Sequence, residues 1–166
     1  MRFAINVSAQ QLRDIDLGRL LLAASARYEI PLTGLELELE APRSEADRES
    51  MERSLPSFRD LGLHLTLDRF VGDADRLSSF AEMPFDTVKI DRSMIRGMER
   101  SERSLSRLTE ISACAKQSGL EIVAVGTEFE SQVDMLKSLN FDAAQGFYYA
   151  PPRPCYRLEY WMEGRV

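Results

Sequence analysis

The chain has 166 residues, of which 44% are hydrophobic and 29% charged, so it suits one folded domain, spanning residues 1–166, and not a disordered chain. The net charge of −6, with 21 basic residues interleaved among 27 acids, argues against a nucleic-acid polymer as partner, because phosphate backbones are held by basic surfaces. No apolar run approaches the roughly 18 residues of a membrane span, "RFAINVS" after Met1 reads as a strand and not a leader, and Cys114 and Cys155 are too far apart for a metal pair, so a reduced cytoplasm is the expected compartment, away from any membrane.

The elements follow in a regular order. "FAINVS" (Phe3–Ser8) reads as a strand, and Leu17, Leu20, Leu21 and Ala24 then recur at helical spacing. "LELELE" (Leu35–Glu40) alternates strictly, as a strand does. A helix is predicted from the capping residue Ser44 to Gly62, with Pro56 inside it expected to kink or split it. "LHLTLD" (Leu63–Asp68) is the third strand and "DRLSSFAEM" (Asp75–Met83) a short helix. "DTVKID" (Asp86–Asp91) is the fourth strand, and Leu105, Leu108, Ile111 and Ala115 mark a long helix. "EIVAV" (Glu121–Val125) is the fifth strand, Val133, Leu136 and Leu139 mark another helix, and "DAAQGFYY" (Asp142–Tyr149) supplies a sixth strand with its exit loop. The tail "PCYRLEYWMEG" (Pro154–Gly164) reads as a last helix.

Alternating strands and helices imply parallel strands joined by helical crossovers, either as an open sheet or as a barrel. Gly-rich phosphate loops are absent after every strand, which disfavours a dinucleotide-type open sheet. A (β/α) barrel gathers its functional residues at the C-terminal strand ends. Polar residues recur there: Asn6, Glu38, Asp68, Lys89 with Asp91, Glu128 and Gln145.

Asn6, Glu38 and Asp68 are hard oxygen donors that suit Mg²⁺ or Mn²⁺ better than zinc. Lys89 could hold a phosphate or a nucleophilic water, and Glu128 could extend the shell of a phosphodiester-hydrolysing site. A structural reading stands beside this one. Glu36, Glu38 and Glu40 share one face and can simply be solvated or paired, Asn6 can be a hydrogen-bonded strand end, and Lys89 and Asp91 can pair with neighbours. His64, the only histidine, reads as structural or solvent-facing, so a Ser-His-Asp or Cys-His site is poorly supported.

The motifs resemble those of the EAL domain family, the cyclic-di-GMP phosphodiesterases, in order and along nearly the whole chain. "NVSAQQL" is similar to the family's NxS-x-x-QL, "LELELEAP" to LELEITES, and "LDRFVGDADRLSSFAEMPFD" to DDFGTGYSSLSYLKRLPVD without a gap. "VKIDRSMI" is similar to KIDRSF, "IVAVGTE" to VVAEGVE, and "QGFYYAPP" to QGYLFSKP. The resemblance implies a TIM-type (β/α) barrel, here incomplete with about six β/α units. It puts Asn6, Glu38 and Asp68 at metal-ligand positions, Lys89 at the active-site lysine and Asp91 at the acid two residues on. Glu128 and Gln145 match the last acidic and amide positions, and Gln10 stands where the family usually has an arginine.

The departures are specific. The first motif, whose Glu-Ala-Leu names the family, is expected upstream of Asn6 and is not in this sequence. The second acid of the Asp-Asp-Phe pair is Arg69, the general-base glutamate is Val125, and the glutamate holding the active-site loop is Ala41, in front of a loop reading "VGDA". A permanent positive charge at Arg69 repels a divalent ion by several kcal/mol at roughly 4 Å, even at an effective dielectric near ~20. Valine accepts no proton, which removes about 10²–10⁴-fold of general-base help. The expectation is therefore a degenerate member that does not turn substrate over. It works as a regulatory module through another protein or a second copy of the chain, because six strands leave two open edges. The alternatives are a cyclic-di-GMP receptor without turnover and an active phosphodiesterase. No cofactor is expected, with Mg²⁺ or Mn²⁺ the choice for any bound metal. Arg69 is expected to pair with Asp68, Glu38 or Asp91 and to occupy the cation's place.

Overall fold

The structure, a computed structural model, describes residues 2–14 and 16–154. Six parallel strands pair in sequence order: β1 (Phe3–Val7), β2 (Leu35–Glu40), β3 (His64–Phe70), β4 (Thr87–Ile90), β5 (Glu121–Val125) and β6 (Ala143–Gln145). Helices α1 (Ala9–Asp14), α2 (Leu17–Tyr28), α3 (Glu45–Asp60), α4 (Ala74–Ser78), α5 (Arg92–Ile95), α6 (Glu102–Gln117) and α7 (Glu130–Ser138) alternate with them. The sheet curls into a half-barrel, as the alternation of strands and helices predicts.

Alternation along each strand divides the sheet into two faces. Leu37, Leu39, Leu65, Leu67, Val88, Ile90, Ile122 and Ala124 are fully buried and pack in one core with Met51, Leu55 and Phe58 of α3 and with Leu108 and Ile111 of α6. The other face is polar. At its lower end Thr66 donates to Glu36 (2.6 Å), His64 Nε2 meets Thr87 Oγ1 (2.8 Å), and Arg2 reaches His64 and Glu121. His64 is thus a structural residue of this polar floor.

Short polar side chains start the helices. Asp16, Ser44, Asp73, Asp91 and Ser101 each accept a first-turn N–H, at 2.8–3.2 Å. Two Phe-Asp pairs tie the strand starts in the same way. Asp86 accepts from Leu65 N (2.9 Å) and returns its own N–H to Leu65 O (2.8 Å). Asp142 does the same with Ile122, at 2.8 and 3.0 Å. Burial of Asp142 opposes its ionisation, but the Lys116 ammonium and the Ile122 N–H outweigh it and hold the carboxyl below its usual range. A depressed native pKa means stability that is full above the ordinary carboxyl range, near about pH 4, and that drains away as pH falls through the native value. Urea midpoints across acid pH should therefore fall less steeply for Asp142→Asn than for the unmodified chain.

Several boundaries differ from the sequence reading. Helix α3 runs unbroken through Pro56. Pro56 is exposed, while the buried Leu55 and Phe58 on either side of it hold the helix to the sheet. Helix α4 stops at Ser78, and turns carry the chain on to Met83, because Phe80, Met83 and Phe85 are all drawn into the core. The predicted last helix (Pro154–Gly164) lies outside the described residues apart from Pro154. Phe3 and Ile5 on the edge strand β1 are exposed, as are Phe147, Tyr148 and Tyr149 beyond β6. No helix among the described residues is long and apolar enough to cross a membrane.

Candidate functional site

The C-terminal strand ends surround a cleft of about 500 Å³ lined by Asn6, Glu38, Asp68, Arg69, Lys89, Asp91, Arg92, Val125 and Gln145. Parallel register builds it. Asn6 lies beside Glu38, Glu40 beside Asp68, and Val125 beside Gln145, so neighbouring strands deliver their inward side chains at matching heights. A second cavity of about 670 Å³ adjoins the first and shares Asn6, Glu38 and Arg69 with it. Gln10, Glu40, Ala41 and Arg43 line this one, so Gln10 sits beside the main cleft and not in it. Glu128 is exposed and lines neither cavity. The Gln132 side chain accepts the backbone N–H groups of Glu128 and Phe129 (2.8 and 3.2 Å) and fixes the turn there.

The charges in the cleft are largely spent on one another. Lys89 is bonded to Glu38, with both side chains about a tenth exposed (12% and 10%). Arg69 donates to Glu40 Oε1 at 2.7 Å and lies 3.7 Å from Asp68 Oδ2. The expected pairing of Arg69 with Asp68 is present, but its tighter partner is Glu40, since Lys89 has already taken Glu38. Asp91 caps α5 through Ser93 N (2.8 Å), and hydrogen bonding from Ser93 outweighs burial and holds its carboxyl below the usual range.

Backbone geometry explains where Arg69 points. The β3–β4 register slips between Leu67 and Phe70, and Arg69 takes φ +50°. This bulge keeps Asp68 and Phe70 both buried while the extra residue turns outward, at a backbone cost of about 1–2 kcal/mol.

The donor set is a poor match to a cation centre. Asn6, Glu38 and Asp68 supply oxygens, but Glu38 faces the Lys89 amine and Asp68 the Arg69 guanidinium. Among the described residues no three His, Cys, Asp or Glu side chains are gathered in one cluster. Val125, at the edge of the cleft, offers no proton acceptor. One residue of the cleft, Arg92, directly follows Asp91 and was not singled out by sequence reasoning. Glu40, read from sequence only as solvated or paired, is paired with Arg69 and Arg43.

The profile of the EAL domain family matches residues 1–152. The cyclic di-GMP phosphodiesterase NbdA of Pseudomonas aeruginosa is 29% identical over 168 residues, covering 98% of this chain and 21% of that protein. Among solved structures, the PaMucR phosphodiesterase in complex with c-di-GMP superposes with a TM-score of 0.84 at 26% identity, covering 95% of this chain and 64% of that one. The EAL domain of Mycobacterium smegmatis DcpA superposes with a TM-score of 0.89 at 26% identity, covering all of this chain and 75% of that domain. The chain spans between 18% and 39% of the length of curated relatives it matches. With the half-barrel, the strand-end cleft and the family profile in agreement, the chain belongs to the EAL domain family.

Proposed function

We propose that this chain is a non-hydrolytic module of cyclic-di-GMP signalling in the cytoplasm, a single EAL-type domain that acts through contacts with another protein or a second copy of itself. The charge arrangement of the cleft carries the reading: Lys89 is closed on Glu38 and Arg69 on Asp68 and Glu40. Two-cation hydrolysis needs surplus negative charge to hold the ions and to acidify a bridging water. Here the carboxylates that would supply it are neutralised by side chains of the chain itself. Val125 stands where the resemblance puts the general base, and an isopropyl group takes no proton. Exposed Phe3, Ile5, Phe147, Tyr148 and Tyr149 give apolar surface for a protein contact. Incubated with cyclic-di-GMP and Mg²⁺ or Mn²⁺, the chain is expected to leave the dinucleotide intact by chromatography. Accumulation of the linear product would overturn the reading.

A second reading is a receptor that binds cyclic-di-GMP without cutting it. One observation favours it: the cleft is open and keeps amide and guanidinium groups at Asn6, Arg92 and Gln145. PaMucR, similar in structure, was solved with c-di-GMP. Calorimetric titration with the dinucleotide separates the two readings, and absence of heat at high micromolar ligand removes the second.

A further inference from the structure

The charge of the chain is unevenly spread. Residues 92–107 hold five arginines against two glutamates, in a chain whose net charge is −6. Arg92 lines the strand-end cleft, whereas Arg96, Arg100, Arg103 and Arg107 do not. These four are exposed, and none is in an ion pair among the described residues. The nearby acids are taken by uncharged donors. Glu110 accepts from the Ser106 hydroxyl (3.0 Å), Glu99 from the Ser131 hydroxyl, and Asp73 from Arg76 N (3.0 Å). Arg103 and Arg107 stand one turn apart on α6 and line a groove of about 450 Å³ with Asp73, Ser106 and Glu110. The buried Leu108, Ile111 and Ala115 anchor α6 to the core, so both guanidinium groups stand on a fixed element.

We infer that this groove on α6 docks an acidic segment of another protein, whose carboxylates pair with the guanidinium groups of Arg103 and Arg107. A guanidinium presents a fork of N–H donors matched to the two oxygens of a carboxylate. A partner helix with acids one turn apart offers the matching spacing. A second copy of the chain is not the occupant, because a two-fold contact lays the same patch on itself and sets arginine against arginine. A nucleic-acid backbone is disfavoured as well. Asp73 and Glu110 line the groove and the chain as a whole is acidic, so a long polyanion meets repulsion that a short acidic segment largely avoids. This inference rests on the reading of the chain as a module that acts through protein contacts, and it gives that contact a face and a partner chemistry.

The test is fluorescence anisotropy of a labelled glutamate-rich peptide titrated with the full chain, beside a labelled DNA duplex. The peptide is expected to bind at low salt and to be released near about 1 M salt, where charges are screened beyond ~3 Å. Arg103→Glu with Arg107→Glu should weaken binding at least tenfold, and Arg103→Gln with Arg107→Gln should weaken it less steeply. Arg19→Glu with Arg27→Glu changes the net charge by the same amount at two exposed arginines of α2, and should leave binding unchanged. Circular dichroism melts of the variants separate a lost contact from a lost fold. Equal losses at the two helices, no binding by the unmodified chain, or tighter binding of the duplex than of the peptide overturns the inference. None of these results alters the turnover assay, on which the non-hydrolytic reading stands or falls.

Discussion

Lys89→Met is expected to destabilise the chain by about 2–4 kcal/mol, read as a lower urea midpoint at unchanged slope. The substitution keeps the length and apolar stem of the side chain and deletes only the ammonium. Glu38 is then a carboxylate about nine-tenths buried with no countercharge. Removing one member of a buried pair costs about 3–5 kcal/mol in general, and the slight exposure of both groups lowers that range here. The double variant Glu38→Gln with Lys89→Met should recover most of the loss, because no uncompensated charge remains. A single variant as stable as the unmodified chain would show that Glu38 finds water or another partner, and the description of a closed charge network would fail with it.

Gly146→Ala should cost more than about 3 kcal/mol, roughly a 10 °C lower melting midpoint for a domain of this size. A Cβ at Gly146 would sit 2.0 Å from Thr127 O and 2.4 Å from Thr127 N, both backbone atoms that cannot rotate away. The two loops are stitched at that point. Gly126 N and Thr127 N both donate to Gln145 O (2.7 and 3.1 Å), and Tyr148 N donates to Thr127 O (3.1 Å). A methyl group there must part the loops and break these bonds, and it also shifts Val125 and Gln145, which line the cleft. Gly119→Ala is the control. Its φ of +71° makes it costly for alanine, by about 1 kcal/mol, but nothing lies within 4 Å of the added methyl. Equal losses at the two positions would refute the steric account.

The fold was largely legible because its signals are local. Strict alternation in "LELELE" fixes both a strand and its two faces, and the same alternation carries Glu38 to the cleft and Leu37 and Leu39 to the core. The strand-end rule for barrels gathered most of the cleft before any geometry was known. The misses are places where a three-dimensional event decides the outcome. Glu40 shares a face with Glu38, but it meets Arg69 only because β3 bulges and Arg69 turns left-handed. An arginine gives no sequence sign of positive φ. Glu128 stands at a matching spacing in its motif, yet a buried glutamine four residues on sets the local turn, and the carboxylate ends in solvent. Pro56 carries a local signal to break α3 that the burial of Leu55 and Phe58 overrides.

The order of the sheet, β1 through β6 without a crossing, sets how the molecule can be assembled. Each strand docks on the one made just before it, after a loop closure whose entropy grows only slowly with the length of its helical connection. No strand has to be inserted between two already in place. The chain can therefore acquire structure unit by unit as it leaves the ribosome, with every finished unit serving as template for the next. The same serial construction makes the interior pairs β2–β3 and β3–β4 indifferent to what is added at either margin.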